Sequence, residues 1–412
     1  MTVPKLAIRG GTPVRNKPWP TWPVWDRREE ENLLRVLHSG AWGIGGTAIE
    51  QFEREFAALC GAKHAITCTS GTTGLEVSLR AVGVTRGAEV IVPAYTFMAT
   101  ATCVLTTGAS IMWADICEDT FCIDPASVEQ LITERTKAVI PVHMGGAPAD
   151  LDRLLEICRP RGIAVVEDAA QAHLARYNGR PVGAIGDLGA FSFQSSKNIS
   201  SGEGGAIVTN DDRLAEMAWS IHNCGRARGG GWYEHPVMGT NVRMTEWQAA
   251  VLLAQIQRAE KQTQRRRENA AYLDSLLAEI DGVEPARVHG EDSASAYHLY
   301  LLRYNPECFK GLPREKFVQA VRAEGVELTC GYGKPLYHHD MFQPTDGGPC
   351  WAERICGVPI DFSGVRCPVA EKIGYETGMW IYQKFLLGER SDMDDIAEAI
   401  RKVQENVDEL LE

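Results

Sequence analysis

Val165-Val166-Glu167-Asp168-Ala169-Ala170-Gln171 is an apolar run that ends in two carboxylates and then passes into small residues. An open α/β sheet makes its ligand contacts beyond the carboxyl ends of buried parallel strands, which marks Asp168 as a candidate site residue. A carboxylate in that place is partly desolvated and needs a cationic partner. A helix N-cap aspartate looks the same locally, and this stretch alone does not choose between the two. The run itself reads as the strand Ile163–Glu167. Six others share its character: His64–Cys68, Glu89–Val92, Ile111–Trp113, Ala138–Val142, Gly189–Phe193 and Ala206–Thr209. Helical stretches separate them. Strands that alternate with helices predict a mostly parallel, seven-stranded sheet covered on both faces, in one large α/β domain.

Two further segments have the composition of a site. Thr69-Ser70-Gly71-Thr72-Thr73-Gly74-Leu75 follows a strand and opens a helix. Small residues there expose backbone N–H groups at a positive dipole end, which suits a phosphate, although a tight strand-to-helix turn has the same composition. There is no GxxxxGK[ST], so this is not a nucleotide P-loop. Gly43-Ile-Gly45-Gly46-Thr-Ala48 mimics a dinucleotide fingerprint, but a helix precedes it. In Phe191-Ser192-Phe193-Gln194-Ser195-Ser196-Lys197-Asn198, followed by Gly202-Glu203-Gly204-Gly205, a lysine leaves a strand with no acidic neighbour until Glu203. Most lysines are solvated surface charges. A desolvated one has a lowered pKa and can act as a Schiff-base nucleophile.

Outside the sheet, the first 25 residues carry Pro13, Pro18, Pro20 and Pro23 among Trp19, Trp22 and Trp25. This reads as an extended arm (1–25) whose tryptophans need a surface. Thr47-Ala-Ile-Glu50 predicts a capping box for the next helix. A long helical pattern runs from Glu246 to Ile280. Arg265-Arg266-Arg267 within it reads as a solvated face, because no wider basic region surrounds it. Tyr297–Tyr304 reads as a strand, Pro313–Glu324 as a helix and Val326–Thr329 as a strand. A last helix starts at Ser391 with Asp394 as its box partner. The large domain is thus expected over 26–265 and a smaller C-terminal α/β domain over 266–412.

Composition limits the classes of function. Of 412 residues, 44% are hydrophobic and 23% charged, which is ordinary for a globular enzyme. The net charge of -12 excludes a nucleic-acid coat. The twelve cysteines form no CxxC pair and there is no HExxH, so no metal site is expected; several cysteines read as small core residues. No basic-then-apolar leader opens the chain, which predicts a cytoplasmic protein. Val90–Ala114 reads as strand, turn and buried helix, not as a membrane span.

Taken in order, the three segments resemble the fold-type I enzymes that use pyridoxal 5'-phosphate (PLP), and more narrowly the DegT/DnrJ/EryC1/StrS family of sugar aminotransferases. The resemblance runs from Gly10-Gly-Thr-Pro-Val14 to the final helix. It rests on Ser70-Gly-Thr72, Val92-Pro-Ala-Tyr-Thr-Phe97, Glu167-Asp-Ala-Ala-Gln171, Phe191-Ser-Phe193 with Lys197, Gly202-Glu-Gly-Gly205 and Gly239-Thr-Asn-Val-Arg243. It implies that Lys197 carries the cofactor and later moves a proton. It also implies that Asp168 binds the protonated pyridine nitrogen, that Gln171 sits near the cofactor hydroxyl and that Phe97 stacks on the ring. Gly71, Thr72, Thr73 and Ser192 are implied to hold the phosphate, completed by Asn241 of a neighbouring subunit in a homodimer with shared sites. For His143, His173 and Arg243, which lie in matching segments, structural hydrogen bonding is at least as strong a reading as catalysis.

His143-Met-Gly-Gly146, His222-Asn-Cys-Gly-Arg226 and Cys367-Pro-Val-Ala-Glu371 with Phe385-Leu-Leu-Gly388 look like the aminocyclitol (inosose) and aminohydroxybenzoate branch. The resemblance therefore implies transfer of an amino group from glutamine or glutamate to a keto-cyclitol or keto-sugar. The alternatives are a nucleotide-keto-sugar aminotransferase and a dehydrating, aromatising PLP enzyme of the aminohydroxybenzoate type. Enzymes of the latter type often have paired histidines where Tyr382-Gln383-Lys384 stands here. Family dehydratases replace the lysine with histidine, and a non-catalytic relative would lack the lysine or the aspartate; both are present.

Overall fold

Each of the seven apolar runs is a strand of one sheet in the computed structural model, which describes residues 5–231, 233–345 and 348–411. In chain order they are β1 (His64–Cys68), β2 (Glu89–Pro93), β3 (Ser110–Ala114), β4 (Thr136–Val139), β5 (Ala164–Asp168), β6 (Leu188–Ser192) and β7 (Gly205–Thr209). Across the sheet the order is β1-β7-β6-β5-β4-β2-β3. From β6 to β3 all neighbours run parallel, while β7 is antiparallel to both β6 and β1. Every residue of β2, β6 and β7 is buried, as two covered faces require. The two antiparallel steps through β7 bring β1 parallel to β6. The carboxyl ends of β1, β2, β5 and β6 therefore share one edge with the start of β7, and all three sequence-selected segments leave the sheet there.

The helices that matter for this edge are α1 (Arg27–Ser39), α2 (Ala48–Leu59), α3 (Gly71–Ala81), α4 (Ala99–Thr106) and the long α5 (Glu246–Leu277). The capping box expected at Thr47 does not form. Thr47 has near-helical backbone angles, φ -116° and ψ -15°, not the extended ones from which a hydroxyl caps. The carboxylate of Glu246 does the work instead, accepting from the Ala48 and Ile49 amides at 2.7 and 3.2 Å. A charged acceptor at a positive helix end outweighs a local hydroxyl. Gly46 admits it, since a Cβ there would lie 2.2 Å from Glu246 Cδ.

Beyond α5 a three-stranded antiparallel sheet has β9 (Leu299–Tyr304) between β8 (Val283–Pro285) and β10 (Gly378–Tyr382). With α6 (Arg314–Ala323), α7 (Arg390–Glu405) and the second half of α5 it encloses a separate core that includes Leu273, Leu302, Phe317 and Ile396. Val326–Thr329 is not a strand. Leu328 N donates to Val326 O at 2.8 Å, a turn that breaks the run, and only Thr329 bridges to Trp380. The last helix begins earlier than expected, with Glu389 as N-cap and Asp392 as its partner. Asp392 is held in place by Arg15 and Lys17 of the arm. The three arginines of α5 do not form a solvated face. Arg266 is fully buried on Gln383 Oε1, and Arg265 and Arg267 donate to backbone carbonyls of Gly388, Leu174 and Ser295. Packing of 382–388 over α5 supplies the acceptors of Arg265 and Arg266, and the segments at 174 and 295 supply those of Arg267.

The arm lies along this second unit. Glu324 accepts from the Ala7 and Val14 amides at 2.7 and 3.1 Å and pairs with buried Lys402 at 2.8 Å. Trp19 packs edge-on to Phe385 and donates to Gly325 O. Trp22 donates to Ser195 O at 3.0 Å, two residues before Lys197.

Glu246→Ala is expected to lower stability by about 1–3 kcal/mol, the cost of leaving helix-end donors without their charged acceptor. Thr47→Ala is expected to stay within about 0.5 kcal/mol. Midpoints of urea unfolding for the two variants check the assignment of the cap.

Candidate active site

Asp168 closes β5 and is buried. Its backbone is fixed on both sides, with its N–H on Pro141 O and its carbonyl accepting from His143 N. The carboxylate receives two neutral donors, Thr100 Oγ1 at 2.8 Å on Oδ2 and Ala170 N at 3.2 Å on Oδ1. Burial pushes its pKa up. The Thr100 hydroxyl, the Ala170 amide and the charge of Lys197 pull the other way. Among the described residues no arginine or lysine forms an ion pair with it.

The neighbouring Glu167 is a different case. It is fully buried, and its oxygens accept from the Gly183, Ile185 and Gly186 amides at 2.6–2.8 Å and from His143 Nε2 at 3.0 Å. Ala149 N donates to His143 Nδ1, so the ring proton sits on Nε2 and both ring nitrogens are used. His143 thus serves the architecture of the strand ends. So does Arg243, on Asn223 at 2.9 Å. His173 is enclosed by Phe56, Phe191 and Phe193, and burial drives its pKa down to about 3, so it remains neutral.

At the end of β1 the chain turns through Ser70 into α3. Thr73 braces the turn: its amide donates to Ser70 Oγ, and its hydroxyl lies 2.9 Å from Ser70 O. It stiffens the turn and leaves the Gly71 and Thr72 amides as the donors with no acceptor among the described residues. Ser192, at the end of β6, stands beside them; a Cβ on Gly71 would lie 2.8 Å from Ser192 Cβ. Gly205 is required for the same closeness, since its Cβ would fall 2.4 Å from the Ser70 carbonyl carbon.

Lys197 follows β6 in a loop closed by Phe193 N on Gly204 O and Ser201 N on Phe193 O. Its ammonium group makes no hydrogen bond or ion pair among the described residues. Desolvation lowers its pKa to about 8, against the raising effect of Asp168. Phe97 lies beyond β2 and is 59% exposed, on the segment that carries Thr100, which reaches Asp168. Gln171 is committed on both sides, accepting from Gly145 N at 2.7 Å and donating to Tyr332 OH at 3.1 Å. Asn241 is exposed, at the foot of the Ser70 turn, where Val242 O accepts from Thr69 N.

Sequence reasoning missed Tyr332 and Thr100. Tyr332 enters from the second unit, packs on Tyr95 and Trp380 and follows Gly331 at φ +68°. The Cys330-Gly331-Tyr332-Gly333 glycines were the only signal for it. Among the described residues no cluster of His, Cys, Asp or Glu could hold a metal ion, and all twelve cysteines are free.

These residues fit PLP. A buried carboxylate that lacks a cation matches a protonated pyridine nitrogen. Two unpaired helix-end amides beside a serine hydroxyl match a phosphate, and a desolvated, unpaired lysine matches the aldehyde. The fold and the site define a fold-type I, PLP-dependent transferase. The chain belongs to the DegT/DnrJ/EryC1/StrS aminotransferase family, whose model matches residues 23–356. It is 39% identical to a putative L-glutamine:3-amino-2,3-dideoxy-scyllo-inosose aminotransferase of Streptoalloteichus tenebrarius, covering 98% of this chain and 99% of the relative. It is 38% identical to the L-glutamine:2-deoxy-scyllo-inosose aminotransferase of the same organism, again over 98% and 99%. The crystal structure of 3-amino-5-hydroxybenzoic acid synthase superposes with a TM-score of 0.83 at 35% identity, over 94% of this chain and 98% of that one. The protein is a PLP-dependent aminotransferase. Among the described residues no helix is long and apolar enough to cross a membrane.

Only the free-base amine reacts, and its fraction rises with pH. Acylation of Lys197 in the cofactor-free protein is therefore expected to reach half-maximum near pH 8, below the ordinary lysine value of about 10.4. Asp168→Asn removes the charge that raises this pKa and is expected to move the midpoint lower still. Peptide mass spectrometry after competitive labelling measures both.

Proposed function

We propose that this chain transfers the amino group of L-glutamine to a keto-cyclitol of the scyllo-inosose type. The observation that carries this reading is the end-to-end likeness, over 98% of the chain, to aminotransferases named for those substrates. The aminohydroxybenzoate alternative is less well supported. Gln383, where that type often has a histidine, is buried and occupied by Arg266.

When bound, PLP accepts the electrons left behind as a proton leaves the amino-bearing carbon. In this reading Lys197 holds the cofactor, and its freed amine takes and returns that proton. Asp168 keeps the ring nitrogen protonated through a charge-assisted hydrogen bond worth about 1.5–3 kcal/mol. Phe97 offers its face to the ring. The Gly71 and Thr72 amides and the Ser192 hydroxyl hold the phosphate, and the turn braced by Thr73 orients them. Gln171 spans Gly145 and Tyr332 and so fixes the wall on the side of the cofactor hydroxyl.

The site is shared between two copies. Asn241 is exposed on its own chain and serves the phosphate of the partner. A second copy would also cover the exposed side chains of Trp25, Leu34, Leu37, Trp42 and Ile44 on and around α1, apolar area that a lone chain leaves in water. The division into an arm (1–25), a large unit (26–265) and a small unit (266–412) belongs to the same proposal. So does a cytoplasmic location.

In a half-reaction screen, protein carrying the aminated cofactor is expected to react fastest with 2-deoxy-scyllo-inosose or its 3-amino relative. Faster reaction with nucleotide-linked keto-sugars would overturn the substrate reading. Mixed dimers of Lys197→Ala and Asn241→Ala chains contain one site free of both changes. They are expected to recover activity that neither parent has, and verified mixed dimers without that gain would refute the shared site.

A further inference from the structure

Three of the other threonines on and just after α4 use their hydroxyls on their own helical turn: Thr102 on Ala99 O, Thr106 on Cys103 O and Thr107 on Val104 O. This is the usual resort of a helical threonine. Thr100 departs from it. Its side chain is fully buried, and the hydroxyl leaves the helix to donate to Asp168 Oδ2 at 2.8 Å. A hydroxyl has one proton to give. The 3.2 Å contact between Thr100 Oγ1 and Thr96 Oγ1 must then have Thr96, also buried, as the donor. The result is a two-step chain of buried hydroxyls, Thr96 to Thr100 to Asp168, on the segment that also carries Phe97.

Burial alone favours the protonated, uncharged form of Asp168, and a neutral carboxyl cannot hold a proton on a pyridine nitrogen. Lys197 favours the anion from across the site, but it gives up its charge when it carries the cofactor. A hydroxyl that donates keeps its effect throughout. We infer that Thr100, backed by Thr96, is a positioning residue that holds Asp168 ionised and oriented as the acceptor for the cofactor's ring nitrogen. The inference rests on the reading that Asp168 faces that nitrogen.

The test compares Thr100→Val, which keeps the shape and removes the donor, with Thr100→Ser, which keeps the donor. Asp168→Asn and the Thr100→Val/Asp168→Asn double variant complete the set. Three quantities are read: the dissociation constant of PLP from the apoprotein, the visible spectrum of the loaded protein, and the rate of the half-reaction with L-glutamine. Thr100→Val is expected to weaken PLP and slow the half-reaction by about tenfold or more, as loss of a hydrogen bond to a charged group implies. Its spectrum should move in the direction seen for Asp168→Asn. Thr100→Ser should stay within about twofold of the parent, and Thr100→Val should add less than about twofold to Asp168→Asn, since coupled groups are not additive. If Thr100→Val does not fold, Thr96→Val must give the same spectral direction with a smaller loss. A Thr100→Val protein that matches the parent beside an impaired Asp168→Asn overturns the relay alone. So does a Thr100→Val loss undiminished in the Asp168→Asn background, which is the mark of a packing defect. An Asp168→Asn protein that matches the parent refutes the reading of Asp168 itself.

Discussion

A carboxylate buried at the end of β5 without a full counter-charge is the constraint on which the rest of the site depends. Burial of an ionised group is tolerated only with compensation, and Asp168 has two neutral donors where Glu167, one residue earlier, has four. Successive side chains of a strand point to opposite faces, so two adjacent acids serve two unrelated ends. Glu167 is saturated and ties the loop at 183–186 and His143 to the sheet. Asp168 is left with capacity to accept one more cationic donor, at the edge where β1, β2 and β6 also end. The reversal through β7 keeps β1 on that edge, and with it the Ser70 turn.

Much of this was legible in the sequence because it follows from local rules. Strands buried on both faces read as continuous apolar runs, and all seven were visible for that reason. The Ser70 turn, Asp168 and Lys197 were visible because small residues, a strand-end acid and a lysine in an apolar loop are each unusual in their settings. What was hidden depends on partners far away in the chain. Glu246 takes over a cap that Thr47 seemed to own, almost two hundred residues before it. The arginines of α5 look solvated until 382–388 and the segments at 174 and 295 are laid beside them. Strand β8 has only three residues and no run of its own to announce it, whereas 326–329 has the composition of a strand and no ladder to join. Thr100 was invisible for a related reason. Nothing in a helical threonine tells whether its hydroxyl turns back to its own helix or out to another element.

The structure also narrows the reading of the Ser70 turn. Thr73 matched a family segment and carries suitable atoms, yet its amide is spent on Ser70 Oγ and its hydroxyl lies 2.9 Å from Ser70 O. A residue that resembles a ligand-binding one can instead be what shapes the site for its neighbours.

The arm bears on how the protein reaches its final form. The side-chain hydrogen bonds that hold its residues from Ala7 to Arg15 on the later chain reach 310 to 400 positions ahead, to Glu324, Asp392, Lys402 and Glu409. The arm therefore cannot take its final place before the segment 324–409, which carries these partners, has itself been made and folded. Trp22, further along the arm, touches the loop that carries Lys197. Docking of the arm on 324–409 and the setting of the lysine loop are thereby joined by one bond, and a chain whose arm is unseated lacks that support beside its reactive amine.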